Sequence, residues 1–179
     1  KGECTMALVQ ISRGAEVKHT YVDGVSRVPI LEGAYHDATV ERISIQPGAD
    51  LTPEIFSRQE HNQVFLITAG KGYIVTPRRV FNITEVSVFV PDFDKEQFTF
   101  HCAADAKENM EIVHFVTELS DYDKTCLKES HLTLPRFRGV SQAWHYKEDF
   151  TGADIQQMML IEHRNLGRLS MGANFGTGP

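Results

Sequence analysis

Short segments in which apolar and polar residues alternate recur along the chain, with Pro, Gly, Asn and Asp between them. Residues 40–45 are the clearest case, because they follow a period-two pattern and end at Pro47-Gly48, a turn signal. This periodicity predicts β-strands with one buried face. The strands predicted in this way cover residues 17–22, 35–46, 63–68, 72–77, 80–83, 86–90, 98–101 and 111–117. Many short strands at regular spacing predict an all-β sandwich or barrel.

The stretch 57–75 lies at the centre of this pattern. Its polar beginning leads into the apolar run 64–67, then the glycines Gly70 and Gly72, then the second apolar run 73–75. Two strand patterns joined by a glycine turn predict a β-hairpin. We therefore expect this hairpin to form the centre of a small antiparallel barrel.

The pattern changes after Glu118. An N-cap serine and acidic residues at 120–123 predict a short helix over 121–128. Residues 132–139, with a proline between basic residues, indicate an extended linker. The predicted organisation is a barrel over residues 1–118, a linker with a short helix over 119–138, and a β-rich segment over 139–179.

The last segment resembles the beginning of the chain. When residues 139–179 are laid over residues 13–53 without a gap, His145 falls on His19 and the final proline falls on a proline. The match includes Arg168-Leu169-Ser170-Met171 over Arg42-Ile43-Ser44-Ile45. An internal repeat is the interpretation that this register favours, and chance similarity of two β-strands is the alternative. In this register residues 172–178 form the turn equivalent to Pro47-Gly48.

If the repeat is real, the chain holds one barrel and the leading strands of another. Strands left without partners expose hydrogen-bonding edges. We therefore expect them to pack against the first barrel or to pair with a second protomer, and a homodimer is predicted.

Composition and charge exclude several classes of partner. The formal net charge of -6 argues against nucleic acid, which requires a basic patch. No apolar run reaches the length of a membrane span, so no membrane partner is expected. The 3 cysteines are far apart, which favours free thiols and a reducing compartment. A cytoplasmic location is the default expectation, and export follows if a signal peptide was removed before Lys1.

These features resemble the cupin superfamily, whose jelly-roll barrels contain two short motifs. The first family motif has two histidines, a glutamate, six residues and a glycine; here Gln63 occupies the glutamate position before Gly70, and residues 56–59 contain no histidine. In the second motif Pro91 matches, while Glu96 stands in place of the histidine. The resemblance implies a cupin-type double-stranded β-helix with a C-terminal β-rich half-repeat, similar to part of a two-domain cupin.

The same resemblance implies a metal site whose ligand positions have been replaced. Cupin metals are held by about three imidazoles and a carboxylate, whereas the matching positions here supply only Gln63 and Glu96. His61 lies two residues before Gln63 and shares its strand face, so these three residues are the candidate set if a divalent metal binds. The alternative is that they are polar residues lining a pocket, and no cofactor is assigned.

Further residues are candidates for binding a small molecule inside the barrel. His114 alternates with apolar residues and is interpreted as an interior histidine, with a ligand role as the alternative. Tyr73 offers a stacking surface at the barrel mouth, and Arg58 offers an anion contact or an exposed ion pair. Two functions follow: a small-molecule-binding or dimerisation module with an eroded metal motif, or a metal-dependent cupin enzyme of isomerase or dioxygenase type acting on a sugar-like or aromatic substrate.

Overall fold

The computed structural model describes residues 11–33, 36–53, 61–92, 96–130, 134–142, 144–147, 154–161 and 171–177. Within these ranges the chain is built almost entirely of antiparallel strands, as the alternating pattern predicts. The strands are β1 (Val25–Ile30), β2 (Ala38–Ile45), β3 (Asp50–Leu51), β4 (His61–Ala69), β5 (Gly72–Val75), β6 (Val80–Ile83), β7 (Ser87–Val90), β8 (Thr99–Cys102), β9 (Met110–Glu118), β10 (Arg136–Gly139), β11 (Trp144–Lys147), β12 (Asp154–Ile161) and β13 (Met171–Thr177).

Two sheets form the barrel. One has 6 strands in the order β1-β2-β9-β4-β7-β10, and the other has 4 strands in the order β3-β8-β5-β6. The predicted central hairpin is wrong, because β4 belongs to the larger sheet and β5 to the smaller one, and the two strands pair with other strands. The glycine turn between them instead carries the chain from one sheet to the other. At this turn Gly70 has a φ of +87°, and a Cβ there would collide with the backbone of Met110. Only glycine fits this turn without strain.

The core lies between the two sheets and is rich in phenylalanine. The larger sheet contributes Phe65 and Phe89, while Phe100 lies on β8 and Phe98 just before it; all four are at most 2% exposed. The ring centroids of Phe65 and Phe100 lie 5.0 Å apart across the two sheets. Burying one such side chain contributes about 1.5–3 kcal/mol, so this cluster is a main source of barrel stability.

Most predicted strands are present, with four differences in the barrel. The short strand β3 was not predicted. The predicted strand 17–22 is absent: this stretch follows a 3-10 turn, Gly14–Glu16, and contains only an isolated bridge between Val22 and Val25. Strand β1 was not predicted, because Arg27 and Pro29 interrupt its apolar pattern. The predicted linker 132–139 contains a strand, since β10 pairs with β7 at the edge of the larger sheet.

The predicted helix is confirmed as α1, Asp121–Ser130. Its N-terminus is capped reciprocally: the hydroxyl of Ser120 accepts a hydrogen bond from the Asp123 N–H at 3.2 Å, and the Asp123 carboxylate accepts from the Ser120 N–H at 2.9 Å. This satisfies backbone donors that the first helical turn leaves open. No helix in the described ranges is long and apolar enough to cross a bilayer.

The C-terminal segment forms a separate sheet of 3 strands in the order β11-β12-β13, and β12 contacts β10 of the barrel. The segment is therefore β-rich, as predicted. The register of the internal repeat predicts a turn at residues 172–178. This prediction is wrong, because strand β13 covers Met171–Thr177. The small residues of this stretch resemble a turn in composition, but pairing with β12 holds them extended. The repeat itself stays a prediction.

Candidate ligand site at the barrel mouth

The candidate site is built on the inward face of β9. Alternation along this strand buries Ile112, His114 and Val116 on one face. Strand pairing places Glu41 of β2 and Phe65 of β4 opposite His114. His114 is 1% exposed, so it is an interior histidine flanked by a carboxylate on one side and a phenyl ring on the other.

Four side chains form a continuous hydrogen-bonded row across the larger sheet, here called the polar chain: Arg27, Glu41, His114 and Gln63. The Arg27 guanidinium donates from Nη2 to Glu41 Oε1 at 2.7 Å and from Nε to Oε2 at 3.1 Å. Nδ1 of His114 lies 2.7 Å from Glu41 Oε1, and its Nε2 lies 3.2 Å from the Gln63 amide. The polar chain thus spans β1, β2, β9 and β4.

The imidazole ring of His114 is also held by stacking. Its centroid lies 4.1 Å from that of Phe65, with an angle of 7° between the ring planes. One side of the ring is therefore covered by the aromatic core, and its two nitrogens are oriented along the polar chain. A ring held in this way presents fixed hydrogen-bonding directions.

Burial and hydrogen bonding set the charges of the polar chain. Burial lowers the pKa of His114 more than the hydrogen bond and charge of Glu41 raise it. Burial by itself would raise the pKa of Glu41, but the hydrogen bonds from His114 and Arg27 outweigh it, and the pKa is lowered. The expected state at neutral pH is an ionised Glu41 beside a neutral His114.

The tautomer of His114 follows from this charge state. An ionised carboxylate only accepts hydrogen bonds, so the single ring proton lies on Nδ1 and points to Glu41. Nε2 then carries a lone pair, which the N–H₂ side of the Gln63 amide satisfies when the amide is rotated accordingly. The Arg27–Glu41 pair therefore orients His114 and fixes its proton.

A cavity of about 390 Å³ opens beside the polar chain, at the end of the barrel where β1 turns toward β2. Arg27, Glu41 and His114 contribute to its wall. Its apolar lining comes from Pro29, Ile30, Leu31, Val40 and Val116. Apolar walls with a few convergent polar groups are typical of small-molecule sites.

Two of the three residues proposed for a divalent metal bind other side chains of the protein. Glu96 is ion-paired with Arg78, which also binds Asp92 at 3.0 Å. Gln63 bonds to His114, and His61 has a buried Nδ1 without a partner among the described residues. The described part of the chain contains no group of three His, Cys, Asp or Glu side chains suited to a metal ion. The described donors therefore do not fit a cupin metal, which about three imidazoles and a carboxylate would hold.

Of the other predicted site residues, Tyr73 lies apart from the cavity. Tyr73 is 40% exposed and stacks on His101 at 4.7 Å, on the strand face opposite the buried Ile74. It lines the outer surface of the smaller sheet, so it offers no stacking surface inside the barrel. Arg58 lies outside the described residues. Of the predicted set, the structure brings Gln63 and His114 into direct contact.

Sequence reasoning missed Arg27 and Glu41. A signal for Glu41 exists, because the period-two pattern of β2 places it on the same face as the buried Ile43 and Ile45. A charged residue on a buried face requires a partner. No sequence pattern pointed to Arg27 as a site residue, because its strand was not predicted.

Known structures similar to this chain share its barrel. KdgF from a Halomonas species has a TM-score of 0.51 at 13% identity, covering 64% of this chain and 97% of that one. A cupin 2 conserved barrel domain protein from Salinispora arenicola has a TM-score of 0.50 at 6% identity, with coverages of 68% and 98%. No protein-family model matches the chain, and no curated protein matches it in sequence.

A third similar structure is longer than this chain. The putative glyoxylate-induced protein from Pseudomonas aeruginosa has a TM-score of 0.59 at 8% identity, and the match covers 82% of this chain but 53% of that one. At these identities the likenesses show the fold alone.

Proposed function

We propose that this chain, which has the cupin jelly-roll fold, is a binding module that takes a small organic molecule into its barrel mouth without the help of a metal. The observation that carries this proposal is the oriented Arg27–Glu41–His114 row at the wall of a cavity of about 390 Å³. Sites for small molecules have volumes of about 300–1,000 Å³ and mainly apolar walls with few polar groups.

The charges at the cavity favour a neutral ligand that carries hydroxyl groups. Glu32 and Glu41 both line it, opposed by the single guanidinium of Arg27. Glu41 accepts two hydrogen bonds from Arg27 and one from His114, and a carboxylate has about four acceptor sites. One site is left for a ligand O–H, while the apolar walls contact the carbon skeleton. A sugar-like or phenolic compound meets both requirements.

Saturation-transfer NMR with glucose, xylose, catechol and benzyl alcohol tests the proposal. Thr39→Trp places an indole at the cavity wall and keeps all four residues of the polar chain, and Thr84→Trp, at another exposed threonine, is the matched control. We expect at least one probe to bind the wild type and the control, and Thr39→Trp to abolish binding. Binding to all three proteins alike, or no binding by any probe, would contradict a ligand site in this cavity.

Dependence on a metal is tested with the same probes. We expect substoichiometric iron, manganese, nickel and zinc after dialysis against a chelator, and unchanged probe binding. Stoichiometric metal that survives dialysis, or binding lost with the metal, would instead favour the metal-dependent enzyme of isomerase or dioxygenase type.

A further inference from the structure

A second cavity lies outside the barrel mouth, where an edge strand of each barrel sheet comes close to the other. Strand β6 ends the smaller sheet and β10 ends the larger one. Between them is a cavity of about 260 Å³. Its walls are formed by Arg79, Phe81, Pro135, Arg136, Phe137 and Arg138. We call this cavity the arginine groove.

The arginine groove concentrates positive charge in an acidic protein. Three of its six lining residues are arginines, although the chain carries a formal net charge of -6. Like charges held close together repel one another, and this repulsion is relieved when an anion binds between them. The groove is therefore an exception to the charge of the rest of the molecule, and its own chemistry favours an anion.

Two of these arginines have no counter-ion in the part of the chain that the structure describes. Neither the guanidinium of Arg79 nor that of Arg138 takes part in a hydrogen bond or ion pair there. Carboxylates on adjoining loops are occupied elsewhere: Glu85 binds Ser141 through both oxygens, at 2.5 and 3.0 Å, and Asp92 binds Arg78. The arginine groove thus keeps unsatisfied donors for an incoming anion.

The groove also contains an aromatic surface. The rings of Phe81 and Phe137 stack with centroids 5.5 Å apart and an angle of 29° between their planes. Both side chains are half-buried and pack against the barrel core, so this surface is rigid. Because the surface is rigid, a planar ligand can pack on it at little entropic cost. Aromatic rings prefer offset or edge contacts with one another.

We infer that the arginine groove binds a small aromatic carboxylate, with its carboxylate on Arg79 and Arg138 and its ring against Phe81 and Phe137. The planar fork of a guanidinium matches a carboxylate in two parallel hydrogen bonds. The cavity volume of about 260 Å³ suits a single-ring compound rather than a larger ligand. The site is separate from the barrel mouth, which two carboxylates make unfavourable for anions.

Calorimetric titration of the full chain with benzoate, benzamide and inorganic phosphate tests the inference. Arg79→Gln/Arg138→Gln removes both unpaired guanidinium groups. Arg13→Gln/Lys107→Gln removes two exposed positive charges elsewhere and changes the net charge by the same amount. The thermal unfolding midpoint of each variant confirms that it is folded.

We expect benzoate to bind the wild type, and benzamide, its uncharged analogue, to bind at least about tenfold more weakly because it lacks the charge-assisted bonds. The Arg79→Gln/Arg138→Gln variant should lose about tenfold or more in benzoate affinity, while the control variant keeps wild-type affinity. Equal losses of benzoate affinity in both variants would show that the effect depends only on net charge, and would overturn the proposed site. Absence of benzoate binding to the wild type would overturn it too, and phosphate binding as tight as benzoate would overturn the aromatic part of the assignment.

Discussion

Replacing Glu41 by glutamine tests whether the polar chain is held by charge. In the wild type, Glu41 Oε1 accepts from Arg27 Nη2 and from His114 Nδ1, both at 2.7 Å. Its Oε2 accepts from Arg27 Nε at 3.1 Å. A glutamine whose oxygen takes the place of Oε1 keeps the first two hydrogen bonds. Its N–H₂ group then meets the N–H of Arg27, and that third bond is replaced by two opposed donors.

The size of the effect follows from these bonds. A hydrogen bond to a charged group contributes about 1.5–3 kcal/mol and is about twice as strong as a neutral one. The bond to His114 lies in the interior and loses about half of its value. The bonds to Arg27 count for less, since the Arg27 side chain is 37% exposed, and exposed pairs contribute about 0.2–1 kcal/mol. Glu41→Gln should therefore lower the free energy of unfolding by about 2 kcal/mol.

Urea denaturation at pH 7 measures this loss, with Glu16→Gln as the control. Glu16 is also paired with an arginine, but its side chain is 68% exposed, so its removal should change stability by less than about 0.5 kcal/mol. The NMR titration of His114 gives a second readout: its pKa should fall in Glu41→Gln, because the contribution of Glu41 that raises it is lost. If Glu41→Gln is as stable as the control and leaves the His114 titration unchanged, the polar chain does not depend on that charge.

The remaining predictions concern pH and assembly. The pKa values of His114 and Glu41 are lowered from 6.5 and 4.5 in the folded state, so the unfolded chain binds more protons just below each value. Stability should therefore decrease as the pH falls below about 6.5, and again below about 4.5; urea denaturation across this range should show the first decrease in the wild type but not in His114→Gln, and parallel curves would refute it. We also expect a homodimer, because β1 and β10 each pair on one side only in the described sheet and unpaired edges favour association. Light scattering at micromolar concentration measures the mass, and a monomer would be the contrary result.

The barrel could be predicted from the sequence because most of its strands have a local alternation of apolar and polar residues. Residues 40–45 and 111–117 alternate regularly, and the structure places them in β2 and β9. The barrel fold that the cupin resemblance implied is likewise confirmed by the structural neighbours. The sequence predicts a linker at β10, because Pro135 and two arginines carry no strand pattern. Pairing with β7 holds this segment extended.

The candidate site was harder to predict from the sequence, because its contacts join residues that are far apart in the chain. Glu41 and His114 are separated by 73 positions, and Gln63 and His114 by 51. Only the register of β2, β9 and β4 places these side chains opposite one another. Period-two alternation gives the face of a residue but not its partner across the sheet. The inward positions of Gln63 and His114 could therefore be predicted, and their mutual contact could not.

The residues at the positions that resemble cupin metal ligands bind other side chains of the protein. Gln63 bonds to His114, and Glu96 is paired with Arg78. Arg78 also binds Asp92 and the backbone carbonyl of Leu134, so it ties the loop after β7 to the segment before β10. A carboxylate removed from water requires a positive partner, and the Arg78 guanidinium provides one for Oε1 of Glu96, while Oε2 is buried without a partner among the described residues. The polar groups at the barrel mouth then come from β1, β2 and β9 rather than from the two motifs, and this is why the proposed ligand contacts Glu41.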